Sequence, residues 1–124
     1  MMPAPDTDPL QQNHLDTLLR RFAIAARAHH AAMEAMDADR AGRHARMTGA
    51  LHQSIMAAGE PGKERFFSLL EHPDPAVAGM AAVYLITSDS VASLTTLRRV
   101  AKEPGLLGFR AAAAIDRWLN GEWE

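Results

Sequence analysis

Apolar residues return at three- and four-residue intervals along most of the chain, and nowhere in a sustained alternation. Leu15, Leu18, Leu19, Phe22, Ile24, Ala25 and Ala26 follow helical spacing, and the run continues through Met33 and Met36 with no Gly or Pro before Gly42. The pattern predicts a long first helix starting near Leu10. "MDADRAG" (36–42) reads as a joint, with Asp37 or Asp39 capping a second helix that carries Met47, Leu51, Ile55 and Met56. "AGEPGKE" (58–64) is turn chemistry, with Pro61 and Gly62 as breakers. "KERFFSLLEH" (63–72) then supplies a short helix with Phe66, Phe67, Leu69 and Leu70.

Two further breaks divide the rest. In "PDP" (73–75), Asp74 suits an N-cap and Pro75 suits the first helical turn, so a helix runs from there to about Thr87. "SDS" (88–90) offers a second cap, before a helix with Val91, Leu94, Leu97 and Val100. "KEPG" (102–105) ends it, and a last helix runs from about Leu106 to Asn120, with Gly121 as C-cap. The expectation is an all-α chain of about six helices. Residues 1–9, with three prolines and two aspartates, read as a flexible lead-in, and residues 10–124 as one helical-repeat domain.

A shift of thirty residues superimposes two segments. "PAVAGMAAVYLI" (75–86) falls on "GLLGFRAAAAID" (105–116), matching Val77 to Leu107, Ala81 and Ala82 to Ala111 and Ala112, and Leu85 to Ile115. "FFSLLEH" (66–72) falls on "TLRRVAK" (96–102), matching Phe67 to Leu97 and Leu70 to Val100. A fixed period of this size indicates stacked two-helix units, each covering its neighbour's apolar surface. In that arrangement Pro73 and Pro75 enforce the turn, Asp74 caps, Ala78, Ala81 and Ala82 allow close helix approach, and Val77 and Leu85 fill the layer.

This D-P-x-V-x-x-x-A-A-x-x-L pattern resembles a HEAT-type repeat, with Ala78 where such repeats often place an Arg. The order of the blocks "RFAIAARAHHAAMEAMDADRAGR", "LLEHPDPAVAGMAAVYL" and "EPGLLGFRAAAAIDRWLNGEW" resembles a small bacterial family of unknown function, over about residues 15 to 124. The resemblance implies a long N-terminal helical hairpin followed by a short α-solenoid of HEAT-like helix pairs. It transfers no catalytic residue. Small bacterial proteins of this architecture are often immunity partners of secreted toxins, so it implies a protein-interaction role.

Composition narrows the function classes. The 124 residues contain no cysteine, which removes disulfides and thiolate metal sites. The first residues lack the order of a signal peptide, and no apolar run reaches a membrane span of ~20 residues, so the expected location is cytoplasmic. Formal charge is −2. Residues 1–60 hold six basic and seven acidic groups and residues 61–124 hold seven and eight, so nucleic-acid binding would need a local patch.

Candidate chemistry is sparse. His30 and Glu34 share a helix face beside His29, but their spacing is not that of a zinc helix, and His14, His44 and His52 do not converge with them in sequence. No metal and no cofactor are expected. No serine sits in a nucleophile elbow, and "GEPGKE" is not a phosphate loop, so no enzyme is expected.

The sharpest cluster is in "LRRVAKE" (97–103). Arg98, Arg99 and Lys102, with Arg65, Ser68 and His72 on the aligned preceding helix, form a candidate polar strip facing a partner. The competing reading is a solvated face near a helix C-terminus, where cations are favoured in any case. The expected partner is another protein, with a toxin as the specific case and steric inhibition as its mechanism. The alternatives are a HEAT-type nucleic-acid binder using the same cations, and a small-ligand protein or enzyme with a pocket between hairpin and repeats. Trp118 falls on the apolar face of the last helix, whereas Trp123 either anchors a partner or folds back.

Overall fold

The computed structural model describes residues 9–123. Six α-helices follow in order: α1 (Pro9–Glu34), α2 (Ala38–Met56), α3 (Glu60–Ser68), α4 (Pro75–Leu85), α5 (Ser90–Val100) and α6 (Gly105–Leu119). A 3-10 turn, Leu69–Glu71, lies between α3 and α4. No strand occurs among the described residues. The lead-in expected over residues 1–9 falls, up to residue 8, outside the described residues. Contacts divide the chain into two units, one ending at Ser68 and one beginning at Leu69.

In the first unit α1 and α2 form a packed hairpin, with α3 against both. Leu15, Leu18, Leu19 and Phe22 of α1 are buried with Leu51 and Ile55 of α2 and Phe66 of α3. Each such side chain contributes about 1.5–3 kcal/mol on leaving water. The Phe22 and Phe66 rings meet edge to face, 5.0 Å between centroids. Ala25, Ala26 and Ala32 are buried as well, and their small side chains let the helices approach closely.

The joint is built from backbone geometry. Met36 adopts a left-handed φ of 57°. The Asp37 N–H donates to Ala32 O (2.9 Å) and the Met36 N–H to Met33 O (3.1 Å), the Schellman pair that satisfies the last carbonyls of α1. Asp37, rather than Asp39, then caps α2 by accepting from the Arg40 N–H at 3.1 Å. Gly62 seats α3, because a Cβ there would lie 1.9 Å from the Ile55 carbonyl oxygen.

Some positions with helical spacing do not reach the core. Ile24 is 58% exposed, and Met36 and Met47 are exposed too. Ile24 follows Phe22 by two residues, about 200° around the helix, so it emerges on the opposite side. Met33, Met56 and Met80 are half-buried.

The second unit packs α5 against both α4 and α6. Asp74 caps α4, its Oδ1 accepting from the Ala76 N–H at 2.9 Å, and Pro75 opens the helix. Asp89 caps α5 in the same way through the Ala92 N–H at 3.1 Å. α4 is submerged on nearly every side, with Ala76, Val77, Ala78, Gly79, Ala81, Ala82 and Leu85 all buried. Val100 of α5 lies over Gly79, in ordinary contact distance of where a Cβ would sit.

The helix expected to continue through His72 instead stops at Ser68 and tightens into the 3-10 turn. Pro73 disfavours helical backbone at the residue before it, and the tighter turn ends the helix ahead of it. Gly121 (φ 72°) ends α6, with the Glu122 N–H donating to Arg117 O at 2.8 Å, as expected of a C-cap glycine.

Candidate interaction surfaces

The six polar residues of the predicted strip fall in both units. Arg65 and Ser68 belong to α3 in the first, whereas His72, Arg98, Arg99 and Lys102 belong to the second. Four of them are engaged within the chain. Arg65 forms an ion pair with Asp16, tying α3 to α1. Ser68 Oγ donates to the Arg65 carbonyl at 2.6 Å. His72 Nδ1 accepts from the Asp74 N–H at 3.0 Å and so belongs to the turn that starts α4.

Arg99 spans from α5 to the 3-10 turn. Its Nη2 donates to Leu70 O at 2.6 Å and its Nη1 to Glu71 Oε2 at 3.3 Å. Thr96 Oγ1 donates to the same Leu70 carbonyl at 3.4 Å. That carbonyl lies within a short 3-10 segment, and the residue three positions on, Pro73, has no N–H to offer it, so the guanidinium does the work of a cap. Arg98 of α5 is exposed on the same side as Thr95 and Val91, and Lys102 is exposed in the turn that follows the helix, rather than on the helix as the spacing suggested. Neither forms an ion pair among the described residues.

The histidines scatter. His30 Nε2 lies 3.3 Å from Glu34 Oε1, one helical turn on. His29 is buried on α1. His52 of α2 is half-buried with its ring edge-on to Phe66, centroids 4.8 Å apart, and burial lowers its pKa by penalising the charged imidazolium. No three His, Asp or Glu residues gather as metal ligands among the described residues. No helix among them is long and apolar enough to cross a membrane.

The last helix presents a different surface. Only Gly108 and Ala111 of α6 are buried. Phe109 is 72% exposed and Leu119 62% exposed. Phe109, Ala112, Ile115 and Leu119 follow at spacings of three, three and four, which places them in one stripe along the helix. Beyond the stripe, Trp123 folds back edge-on to Trp118 at 6.1 Å, with the Arg117 guanidinium 5.3 Å over its ring. Both tryptophans are half-buried. Periodicity alone did not single out Phe109. The usable signal was the thirty-residue alignment, which sets Phe109 against Gly79 and so places a large side chain where the matching helix carries none.

No protein family, no curated protein and no solved structure matches this chain.

Proposed function

We propose that the protein is a protein-interaction module that acts by covering a partner's surface. The observation that supports this reading is the apolar stripe of α6. Scattered apolar side chains are normal on protein surfaces, but α6 exposes Phe109, Ala112 and Leu119 along one side, with Asp116 the charged residue among them. Phe109 is a rigid aromatic with two side-chain torsions, the kind of anchor that loses little entropy when it enters a partner's pocket.

The finer reading follows from the thirty-residue correspondence. α4 to α6 form a short HEAT-like stack whose outer side, on α6, is covered by a partner. The resemblance to the small bacterial family extends this to neutralisation of a toxin from the same lineage, by steric occlusion and without chemistry by this chain. Arg98 and Lys102 would add steering toward an acidic partner.

The test is a photo-crosslinking amino acid at position 109 in the producing bacterium, followed by co-expression of the captured protein with Phe109→Asp and Leu119→Asp variants. The expected result is one dominant adduct, a toxic partner, and loss of protection in both variants with unchanged helical circular dichroism. Variants that protect as well as the parent would remove α6 from the interface. A partner that is not toxic would remove the immunity role while leaving the interaction.

A further inference from the structure

The hairpin carries a second surface, distinct from α6. Among the large apolar residues of α1 beyond Leu10, Ile24 alone is exposed, whereas Leu15, Leu18, Leu19 and Phe22 are buried. Its helical neighbours three and four residues away are Arg20, Arg21, Arg27 and Ala28. Three of the four are therefore arginines, and all three are exposed. A β-branched residue at a solvent-facing helical position also lowers helix propensity relative to Ala, so propensity gives no reason for Ile at this place.

The two carboxylates of α1 are engaged elsewhere. Asp16 lies four residues before Arg20, in position to pair with it, but is held by Arg65 of α3. Glu34, the remaining carboxylate of α1, sits against His30. Arg20 donates only to Thr17 Oγ1, at 3.3 Å, and neither Arg20 nor Arg21 forms an ion pair among the described residues. The result is an exposed Ile24 with two guanidinium groups one turn before it, those of Arg20 and Arg21, that form no ion pair among the described residues.

We propose that this outward face of α1, Ile24 with Arg20 and Arg21, docks an acidic helical segment of another protein. The matching segment carries an apolar residue to cover Ile24 and Asp or Glu residues three or four positions to either side. Arginine favours this partner, because its planar fork meets a carboxylate through two parallel hydrogen bonds. An apolar core with a polar rim is the anatomy of a protein interface. A phosphate backbone would satisfy the guanidinium groups but offers nothing to bury Ile24. Membrane insertion would require more apolar area than this single large side chain provides. The inference rests on the protein-interaction reading but is independent of α6, so either surface can fail alone.

The test uses the full chain, labelled at isoleucine methyl groups and backbone amides. It is titrated with a synthetic helical peptide bearing Leu flanked by Glu at four-residue spacing, with the same peptide carrying Gln for Glu, and with a duplex DNA of about two helical turns. The acidic peptide is expected to shift the Ile24 methyl signal and the amides around it. Arg20→Gln/Arg21→Gln and Ile24→Gln should each weaken the peptide about tenfold, a loss of ~1.4 kcal/mol. Arg43→Gln/Arg46→Gln on α2 should leave its affinity unchanged, and the Gln peptide should bind weakly and with little salt dependence. All the substituted residues are exposed, and circular dichroism checks the fold of each variant. An unshifted Ile24 methyl, or equal losses in the α1 and α2 variants, overturns the proposal. Tighter binding of the duplex through the same arginines also overturns it and makes the face a phosphate site. Retention of the α6 crosslink in Ile24→Gln would leave the protein-interaction reading standing in either case.

Discussion

α4 and α6 come from matching stretches of sequence and have opposite environments. Under the thirty-residue shift Val77 and Leu107, Ala82 and Ala112, and Leu85 and Ile115 occupy equivalent places. The α4 member of each pair is buried, whereas Leu107 and Ile115 are half-buried and Ala112 is exposed. Their starts differ as well. Asp74 caps α4 through a side-chain hydrogen bond, but its counterpart Pro104 gives α6 none. One apolar pattern thus serves two purposes. Where neighbours lie on several sides, as around α4, it makes a core, and where they lie on fewer, as around α6, it leaves a surface. Helical periodicity reports which residues share a face, and it carries no information about how many neighbours that face will meet.

The largest expected effect comes from truncating the paired aliphatic residues. Leu85→Ala should cost about 3 kcal/mol, because a buried Leu loses both its transfer energy and the cavity left behind. Ile115→Ala should cost about 1 kcal/mol, since its side chain is already half in water. Denaturant midpoints measured at constant slope compare the two directly. Equal losses would mean that α6 is as well covered in solution as α4, and the apolar stripe would cease to be a free surface.

The next effect tests how α6 is seated. A Cβ at Gly108 would lie 1.9 Å from the Glu103 carbonyl oxygen and 3.0 Å from that of Ala101. Gly108→Ala should therefore destabilise by about 2 kcal/mol, although Ala is the better helix former by ~1 kcal/mol. Its aligned residue in α4 is already alanine, Ala78, so the two helix starts approach their preceding turns differently. A stabilised Gly108→Ala would show that the start of α6 is loose enough to shift.

Capping gives a smaller effect. Asp74→Ala should cost about 1 kcal/mol through loss of the bond to the Ala76 N–H. Substitution of Pro104 by Ala should leave the N–H groups at the start of α6 as they are, since no side-chain cap is lost there. A midpoint unchanged by Asp74→Ala would mean that Pro75 alone fixes the start of α4.

How much of this was legible in the sequence depends on the physical range of each feature. Asp74, Asp37 and Gly121 act on backbone groups within a few residues, so their caps could be read locally. The six helices followed from the spacing of Leu15, Leu18, Leu19 and Phe22 and from the breaks at "EPG" and "PDP". The fate of the charges could not be read in this way. Arg65 meets Asp16 across 49 positions and Arg99 meets Leu70 across 29, and only the fold brings these groups together. A strip assembled from cation positions alone counted as free two guanidinium groups that the fold uses. The same blindness concealed Ile24, whose spacing fits an apolar run while its direction is outward.

The smallest expected effect bears most directly on function. Phe109→Gln should change stability by less than about 0.5 kcal/mol, because substitutions at exposed positions away from packing, caps and strain seldom do more. Its aligned residue, Gly79, offers the contrast. A Cβ there meets Val100 at 3.5 Å, and longer side chains have no room, so Gly79→Gln should unfold the unit or cost several kcal/mol by overpacking. The two positions correspond under the thirty-residue shift, and their surroundings separate them. If Phe109→Gln is instead strongly destabilising, the ring is covered in solution, by Trp118 and Trp123 rearranging or by a second copy of the chain. Sedimentation at two concentrations separates these cases: self-association makes the loss depend on concentration, and internal cover does not. A silent Phe109→Gln that also loses the position-109 partner would assign the phenylalanine to binding, since folding would then have no use for it.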